Sequence, residues 1–375
     1  MSAAVDVAIV GGGVVGCACA RAAALAGLRV AVYEAGRVGA GATAAGMGHL
    51  VTIDDDPAEF ALARLSMSLW RAWSGWAAIE RRMTGTLWLA ETAPQRDAAH
   101  AKLARLRAAG LSAEWLPPEV LPSVEPRLAR DLAGALRVAG DEVAYGPELA
   151  ARLAADVRAA GGTIEELRPV AALRDDGLQL ADGTRVAAGH VLLAAGCDSV
   201  RLWPAGVPLP LRPRKGQLII TDRHPGYIRH ALVELGYIDS AHGDVDEAVA
   251  FNAQPRATGQ VLLGSSRSYR DTRPDLDVAL LARMLRRAQR FLPDIATLQM
   301  LRCWAGLRPA IADGRPAIGR IPGARDNHWV ATGHEGLGLT TAPGTASVWL
   351  DLLLGRTPAI DPAPYAPDRF AAVAA

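Results

Sequence analysis

Residues 5–36 read VDVAIVGGGVVGCACARAAALAGLRVAVYEAG. The apolar runs at 5–10 and 28–33 predict two buried strands, and the alanine-rich run between them predicts a helix over 14–27. A strand, a helix and a strand in this order are typical of a βαβ unit in a parallel sheet. The stretch therefore predicts an α/β protein whose first turn is rich in glycine.

The glycines of that turn have the spacing GxGxxG, with Gly11, Gly13 and Gly16. In a nucleotide-binding βαβ unit the first glycine permits the tight turn, and the second lets a pyrophosphate approach the backbone. The third glycine lets helix and strand pack closely. The alternative is a glycine-rich turn without a ligand, but the strand, turn and helix context favours dinucleotide binding.

Glu34 ends the second predicted strand, 18 residues after Gly16. A carboxylate at this place can accept hydrogen bonds from both hydroxyls of an adenosine ribose and would repel a 2′-phosphate. NADP is therefore disfavoured, while FAD and NAD both remain open.

Three later glycine-containing stretches favour FAD. They are GAGATAAGMGH at 39–49, LLAAGCDS at 192–199 and TGHEGLGLTTAPG at 332–344. The third opens a predicted helix, and a helix N-terminus directed at the flavin pyrimidine would stabilise the negative charge that develops there on reduction. Each stretch alone could simply be a loop that needs glycine conformations.

Composition excludes several other classes of protein. Among 375 residues, 40 Lys and Arg face 39 Asp and Glu, so the net charge of +1 gives no reason to expect a nucleic-acid partner. The four cysteines show no metal-ligand spacing, and no metal is expected. The sequence shows no signal peptide or membrane-spanning run, so we expect a cytoplasmic protein or one bound peripherally to the inner face of the membrane.

Element order predicts two domains. A Rossmann-like FAD-binding domain is expected from three separated segments, 1–83, 141–214 and 305–375. An α+β substrate domain with a mainly antiparallel sheet is expected from 84–140 and 215–304. Apolar residues at helical spacing also predict one helix over 57–82.

At this point the chain resembles a known family. WAGLRPAIADGRPAIG at 304–319 and ATGHEGLGLTTAPG at 331–344 are similar to motifs of the D-amino-acid-oxidase-type flavoproteins, in the branch with glycine oxidase, sarcosine oxidase and D-amino-acid dehydrogenases. The resemblance covers essentially the whole chain. AAGMGHLVTIDDDPAEFAL at 44–62 looks similar to bacterial cis-4-hydroxy-D-proline dehydrogenases and opine oxidase subunits.

The resemblance implies a set of FAD-binding residues. Glycines and neighbours of the first turn and Glu34 would hold the ADP half, and the other segments would lie along the pyrophosphate, adenine, ribityl chain and isoalloxazine. The full set is Gly11, Gly13, Val14, Val15, Gly16, Glu34, Ala35, Thr43, Ala44, Ala45, Gly46, Met47, Gly48, Val170, Ala195, Gly196, Gly333, His334, Glu335, Gly336, Leu337, Gly338, Leu339 and Thr340. No cysteine lies within 308–319, so FAD is expected to be non-covalent.

The resemblance also implies a substrate site. Arg308 matches the arginine that receives the substrate carboxylate, and a guanidinium fork suits that role because it can donate two parallel hydrogen bonds. Phe251 and Asn252 occupy the strand where an aromatic hydroxyl often holds substrate, and Tyr269 could supply the hydroxyl that Phe251 lacks. His49 is expected either to accept the proton of the amine or to make only a structural hydrogen bond.

The implied reaction is oxidation of a small D-amino or imino acid, of the D-proline or cis-4-hydroxy-D-proline type, by hydride transfer from Cα–H to flavin N5. The alternatives are a glycine- or sarcosine-type oxidase that uses oxygen, and an opine oxidase subunit. The electron acceptor could be oxygen, a quinone or a partner subunit, and the chain could act as a hetero-oligomer subunit or a homo-oligomer. A NAD-dependent dehydrogenase and a flavin-binding subunit without catalysis are the competing hypotheses.

Overall fold

The computed structural model describes residues 5–52, 55–236 and 246–374. Its helices, labelled α1 to α9, are Val14–Leu25, Ala42–Ala45, Pro57–Ala72, Ala93–Ala108, Leu121–Val124, Gly146–Ala159, Ser199–Leu202, Val278–Phe291 and Gly338–Leu353. Its strands, labelled β1 to β19, are Val5–Val10, Val30–Tyr33, His49–Leu50, Arg81–Arg82, Thr86–Ala90, Ala113–Leu116, Gly134–Val138, Glu142–Ala144, Thr163–Glu165, Val170–Arg174, Gly177–Leu180, Arg185–Leu193, Leu211–Arg223, Ala231–Glu234, Glu247–Pro255, Gln260–Ser268, Met300–Ile311, Ala317–Arg320 and His328–Thr332.

The first sheet contains the predicted βαβ unit. Within the described ranges, eight strands form it, and β9, β2, β1, β12 and β19 lie side by side in parallel. The β10–β11 hairpin extends from β12, and β18 pairs antiparallel with β19. The central strands β1 and β2 and the end of β12 are largely apolar and buried, as is usual for parallel strands covered on both faces, whereas β9 at the edge is partly exposed. The prediction of an α/β fold is confirmed.

The second sheet is mainly antiparallel, as predicted. Of the strands that the structure describes, it holds eight, in the order β17-β13-β16-β15-β14-β5-β7-β6, with one parallel pair between β14 and β5. Helix α8 covers one face through Leu281, Met284 and Phe291. The opposite face contributes side chains to a large cavity. The predicted division of the chain into two domains stays a prediction. Two of its proposed boundaries, after residues 214 and 304, fall inside strands β13 and β17.

The predicted helix over 57–82 is wrong in its length. Helix α3 ends at Ala72, and Trp73 has extended backbone angles of φ −78° and ψ 127°. Apolar spacing continues beyond the helix because Trp70, Trp73 and Trp76 all turn into one core, with ring centroids 5.2–5.3 Å apart. A short 3₁₀ segment, Ser74–Ala78, then leads to β4. Aromatic burial, rather than helical periodicity, explains the apolar pattern after residue 72.

None of the described helices has the length and apolar character that crossing a bilayer requires.

Candidate active site

A cavity of about 950 Å³ lies between the two sheets. Glu34, Val170 and the first glycine turn line the cavity on the side of the first sheet. Arg308 and Asn252 line it on the side of the second sheet. The volume is at the upper end of the usual range for ligand pockets, roughly 300–1,000 Å³. The cavity therefore has room for a large elongated ligand together with a smaller molecule.

The three glycines of the first turn have different surroundings. Gly11 has φ +109°, and a Cβ there would lie 2.5 Å from the carbonyl oxygen of Ala194. A Cβ on Gly16 would lie 2.0 Å from the carbonyl oxygen of Gly11, which confirms close packing of helix on strand. A Cβ on Gly13 would meet protein only at Thr43 Oγ1, 3.4 Å away. Gly13 thus leaves open space on the side of the cavity, as a bound pyrophosphate requires.

Backbone groups fix the carboxylate of Glu34 at one end of the cavity. Its Oε2 accepts a hydrogen bond from Gly12 N at 2.6 Å, and its Oε1 accepts one from Gly36 N at 2.7 Å. A carboxylate has about four lone-pair sites, so each oxygen can still accept a ribose hydroxyl. The adenosine end of FAD fits this arrangement.

Helix α9 begins at the other end of the cavity. Gly336, Leu337, Gly338 and Leu339 line it, and the N-cap residue Leu337 provides no side-chain hydrogen bond to the helix N-terminus. The backbone N–H groups of the first turn therefore point toward the cavity with the positive end of the helix dipole. The positive end of a helix dipole stabilises the negative charge of a reduced flavin pyrimidine. Together with Gly13 and Glu34, the N-terminus of α9 shows that the residues present fit FAD.

Arg308 lies on β17 and its side chain is 17% exposed within the cavity. Its Nη1 donates a hydrogen bond to the carbonyl oxygen of Ser266 at 3.0 Å. Gly216 on the neighbouring strand makes room for it, because a Cβ there would lie 2.3–2.5 Å from the three terminal atoms of the guanidinium. The absence of a side chain at residue 216 therefore sets the position of Arg308.

We expect Gly216→Ala to displace Arg308 while the fold stays intact, since the clash falls on the end of a flexible side chain. A displacement of about 1 Å at a reacting centre can cost about 10²-fold in rate. The prediction is a fall of that order in kcat/KM, with the visible spectrum of bound FAD and the thermal unfolding midpoint close to those of the wild type. A variant that lost FAD or unfolded early would contradict this explanation of Gly216.

Two further arginines lie beside Arg308. The carboxylate oxygen Oε1 of Glu335 is 3.9 Å from Arg214 Nη1, 3.6 Å from Arg267 Nε and 3.9 Å from Arg308 Nε. Burial opposes ionisation of Glu335, but the guanidinium groups of Arg267, Arg308 and Arg214 outweigh it and lower its pKa. Glu335 is therefore an ionised carboxylate among three guanidinium groups at the cavity wall.

His49 lines the cavity, but its surroundings disfavour a role as proton acceptor. Its Nε2 lies 2.8 Å from Thr86 Oγ1, and burial lowers its pKa to about 3. A base with this pKa has little affinity for a proton at neutral pH. Of the two roles expected for His49, the structural hydrogen bond is the one that this geometry favours. His334 is similarly buried with a pKa of about 3, and its Nε2 lies 3.0 Å from Thr345 Oγ1.

Asp141 is a buried carboxylate between β7 and β8, and it does not line the cavity. Its Oδ1 accepts hydrogen bonds from the backbone and hydroxyl of Thr52, each at 3.2 Å, but burial raises its pKa to about 7. Because the folded protein keeps this proton to a higher pH than the unfolded chain, the free energy of unfolding falls as pH rises from about 4 to 7.

Asp141→Asn should remove this loss of stability, since the amide oxygen can still accept both hydrogen bonds from Thr52. We expect the advantage of the variant over the wild type to grow by on the order of 2–3 kcal/mol between pH 5 and pH 8. Thermal unfolding at both pH values with FAD in excess measures it. An advantage of equal size at pH 5 and pH 8 would show that Asp141 is ionised in the folded protein throughout.

Most residues predicted for the site line this cavity. They are Gly11, Gly13, Val14, Val15, Glu34, Ala35, Thr43, Ala45, Gly46, Met47, Gly48, His49, Val170, Ala195, Gly196, Asn252, Tyr269, Arg308, His334, Glu335, Gly336, Leu337, Gly338 and Leu339. Tyr269 stands beneath two guanidinium groups, with the Cζ atoms of Arg212 and Arg214 4.5 and 4.9 Å from its ring centroid.

Phe251 does not belong to the site. It is 1% exposed and its ring is stacked on Phe291, with centroids 4.6 Å apart, on the face of the second sheet that α8 covers. Successive residues of a strand point to opposite faces, so Asn252 faces the cavity and Phe251 faces away from it. The expected substrate contact at Phe251 is wrong for this reason.

Four predicted cofactor residues lie beside the cavity without lining it. Ala44 is exposed on the outer side of α2, and Gly16 packs against Gly11. A Cβ on Gly333 would lie 2.1 Å from Ile311 Cδ1, so this glycine serves close packing. Thr340 Oγ1 donates to His49 O and accepts from Val51 N, both at 3.2 Å. These residues position the cavity wall.

Arg212, Arg214 and Arg267 also line the cavity, although no sequence motif had singled them out. The sequence contains a pattern that could have indicated two of them. Every second residue of β13 from 212 to 218 lines the cavity, namely Arg212, Arg214, Gly216 and Leu218. Period-two spacing predicts a shared face, although only the paired strands show which face it is. Among the residues that the structure describes, no group of three or more His, Cys, Asp or Glu side chains is arranged so that it could hold a metal ion.

Comparisons with known proteins agree with this geometry. The family model DAO, described as FAD dependent oxidoreductase, matches residues 6–352. Glycine oxidase of Pseudomonas aeruginosa is 32% identical over 96% of this chain and 98% of its own length. D-amino acid dehydrogenase of Cereibacter sphaeroides is 32% identical over 79% of this chain and 66% of its own. The crystal structure of glycine oxidase from Geobacillus kaustophilus superposes with a TM-score of 0.87 at 29% identity, covering 97% of this chain and 98% of that one.

Proposed function

The chain belongs to the DAO family of FAD-dependent oxidoreductases, and we propose that it oxidises the carbon–nitrogen bond of a small amino or imino acid whose carboxylate binds Arg308. Enzymes of this family act on the CH–NH and CH–NH₂ groups of amino acids. The observation that carries the proposal is the partly buried guanidinium of Arg308, which lines the cavity from the second sheet, whereas Glu34 lines it from the first.

The cofactor is FAD. We propose that Glu34 and the backbone around Gly13 hold its adenosine and pyrophosphate, and that the N-terminus of α9 faces the flavin pyrimidine. FAD, once bound, supplies the acceptor for the two electrons that leave the amino acid. Cys197 lines the cavity, but burial raises the pKa of its thiol to about 11. A thiol is a poor nucleophile while protonated, which supports non-covalent binding.

Arg308 would orient the substrate. Its guanidinium can donate two parallel hydrogen bonds to a carboxylate, and this fixes the position of the α-carbon relative to the cavity wall. Asn252 and Tyr269 lie on the same wall and would contact the rest of the molecule. The substrate loses two electrons and two protons and becomes an imino acid, which water can hydrolyse.

Three substrate candidates share the carboxylate and the α-amine. The stretch at 44–62 favours D-proline or cis-4-hydroxy-D-proline. The glycine oxidases among the relatives favour glycine as a second candidate, and its N-methyl derivative sarcosine belongs with it. An opine, an amino acid whose nitrogen carries a second carboxylate arm, is the third. Whether the electron acceptor is oxygen, rather than a quinone or a partner subunit, follows from the same measurement as the substrate.

That measurement is the absorption spectrum of the purified protein during anaerobic addition of one amino acid at a time. We expect a yellow protein whose flavin band is bleached by at least one compound of the panel, and rapid return of colour in air would identify an oxidase. Acid precipitation should release the yellow chromophore into solution. A flavin that no amino acid bleaches would contradict the proposed reaction while leaving FAD as the cofactor.

A further inference from the structure

Three guanidinium groups project from neighbouring strands into one wall of the cavity. Arg214 on β13 lies directly opposite Arg308 on β17, and Arg267 is on β16, the other neighbour of β13. Each has a nitrogen within 3.9 Å of Glu335 Oε1, so no two of these nitrogens are more than about 8 Å apart. Arg214 and Arg267 are 2% exposed, so this wall is a buried cluster of cations.

Glu335 contacts the three guanidinium groups at ion-pair distances of 3.6–3.9 Å, which are longer than hydrogen bonds. Each guanidinium carries five N–H donors, whereas one carboxylate offers about four acceptor sites. Arg214 and Arg267 make other contacts besides Glu335, and both also line the cavity beside Arg308. Burial, together with the nearby charges of Arg267 and Arg308, lowers the pKa of Arg214 although Glu335 acts in the opposite direction. Three guanidinium groups in one wall of a ligand cavity suit a carboxylate-bearing ligand.

We propose that the substrate carries two carboxylates, one held by Arg308 and the other by Arg214 and Arg267. The inference rests on the reaction proposed above and narrows its substrates to amino acids with a second carboxylate, either on the nitrogen, as in an opine, or on the side chain. A short dicarboxylate can span the distance between these guanidinium groups. A bidentate pair between guanidinium and carboxylate would discriminate strongly against a neutral group, because it would leave buried donors without an acceptor.

The test compares pairs of compounds that differ in one charge. Iminodiacetate and its monoamide, N-(carbamoylmethyl)glycine, have nearly the same shape, and neither depends on stereochemistry at carbon. D-glutamate and D-glutamine form a second pair. We expect kcat/KM, measured anaerobically with an acceptor dye, to be at least 10²-fold higher for the acid than for the amide in at least one pair.

Arginine variants then locate the second carboxylate. Arg214→Gln and Arg267→Gln should each lower the ratio of acid to amide by at least tenfold, whatever happens to the absolute rates. Arg320→Gln is the matched control: this arginine is exposed at the edge of the first sheet, outside the cavity, and its variant should keep the wild-type ratio. Because the two arginines lie on different strands, one variant can still test the proposal if the other fails to fold.

The outcomes separate this inference from the proposed reaction. If monocarboxylic amino acids reduce the flavin and the acids are no better than their amides, the reaction stands and the second carboxylate is refuted. An acid preference that survives in both arginine variants refutes it as well. A flavin that none of the compounds reduces refutes the proposed reaction, and the inference falls with it.

Discussion

Arg308→Ala should lower kcat/KM by roughly 10²- to 10³-fold while the protein keeps its FAD. Removing one member of a buried charged pair typically costs about 2–5 kcal/mol, and each 1.36 kcal/mol corresponds to a tenfold change in rate. FAD binding should persist because Glu34, Gly13 and the N-terminus of α9, the groups assigned to the cofactor, lie on other elements. The measurement is steady-state kinetics with the best substrate of the panel, alongside the flavin content.

Arg308→Lys is the informative control, because lysine keeps the charge but cannot form the planar fork. We expect an intermediate rate and a KM raised more than kcat is lowered. Turnover that is unchanged in Arg308→Ala would remove this arginine from the reaction. It would also favour the alternative of a flavin-binding subunit whose catalysis resides elsewhere.

Gly13→Ala should abolish tight FAD binding without damaging the fold. Gly13 has φ −69° and ψ 176°, which any residue can adopt, and its added Cβ would contact protein only at Thr43 Oγ1. The methyl group would instead occupy the space through which the pyrophosphate approaches the backbone. We expect the Kd for FAD, from flavin fluorescence titration of the apoprotein, to rise by about 10²-fold, with the apoprotein unfolding midpoint unchanged.

Gly16→Ala provides the contrast, because its Cβ would lie 2.0 Å from a backbone oxygen that cannot move alone. This variant should unfold at a lower temperature even without FAD, since the clash separates α1 from β1. If Gly13→Ala also destabilised the apoprotein, or bound FAD as tightly as the wild type, then residue 13 would not face the pyrophosphate.

Local sequence determined the parts of the site that could be predicted. The GxGxxG turn and Glu34 lie within 24 residues and need only a strand, a helix and a strand to come together. The glycine loop before α9 is likewise encoded by consecutive residues. Such segments carry their own conformational signals, so their place at the cavity follows from the chain itself.

The substrate side could be predicted only in part, because it depends on how strands align. Phe251 and Asn252 are neighbours in sequence, yet one enters the core and the other the cavity, and a register shift of one residue would exchange them. The cluster of Arg214, Arg267 and Arg308 comes from three strands separated by as many as 94 positions. Nothing within any one of these segments shows that the three would meet at Glu335.

The place of α1 in the fold has a consequence for synthesis of the protein. This helix is made long before α9, against which it packs and which ends at Leu353, and β1 is likewise made before its partner β12, which ends at Leu193. At about 5–20 residues per second, a ribosome needs roughly 15–65 s to pass from α1 to the end of α9. Throughout that time the apolar face of α1 lacks its final neighbour, and transiently exposed apolar surface of this kind promotes aggregation of nascent chains.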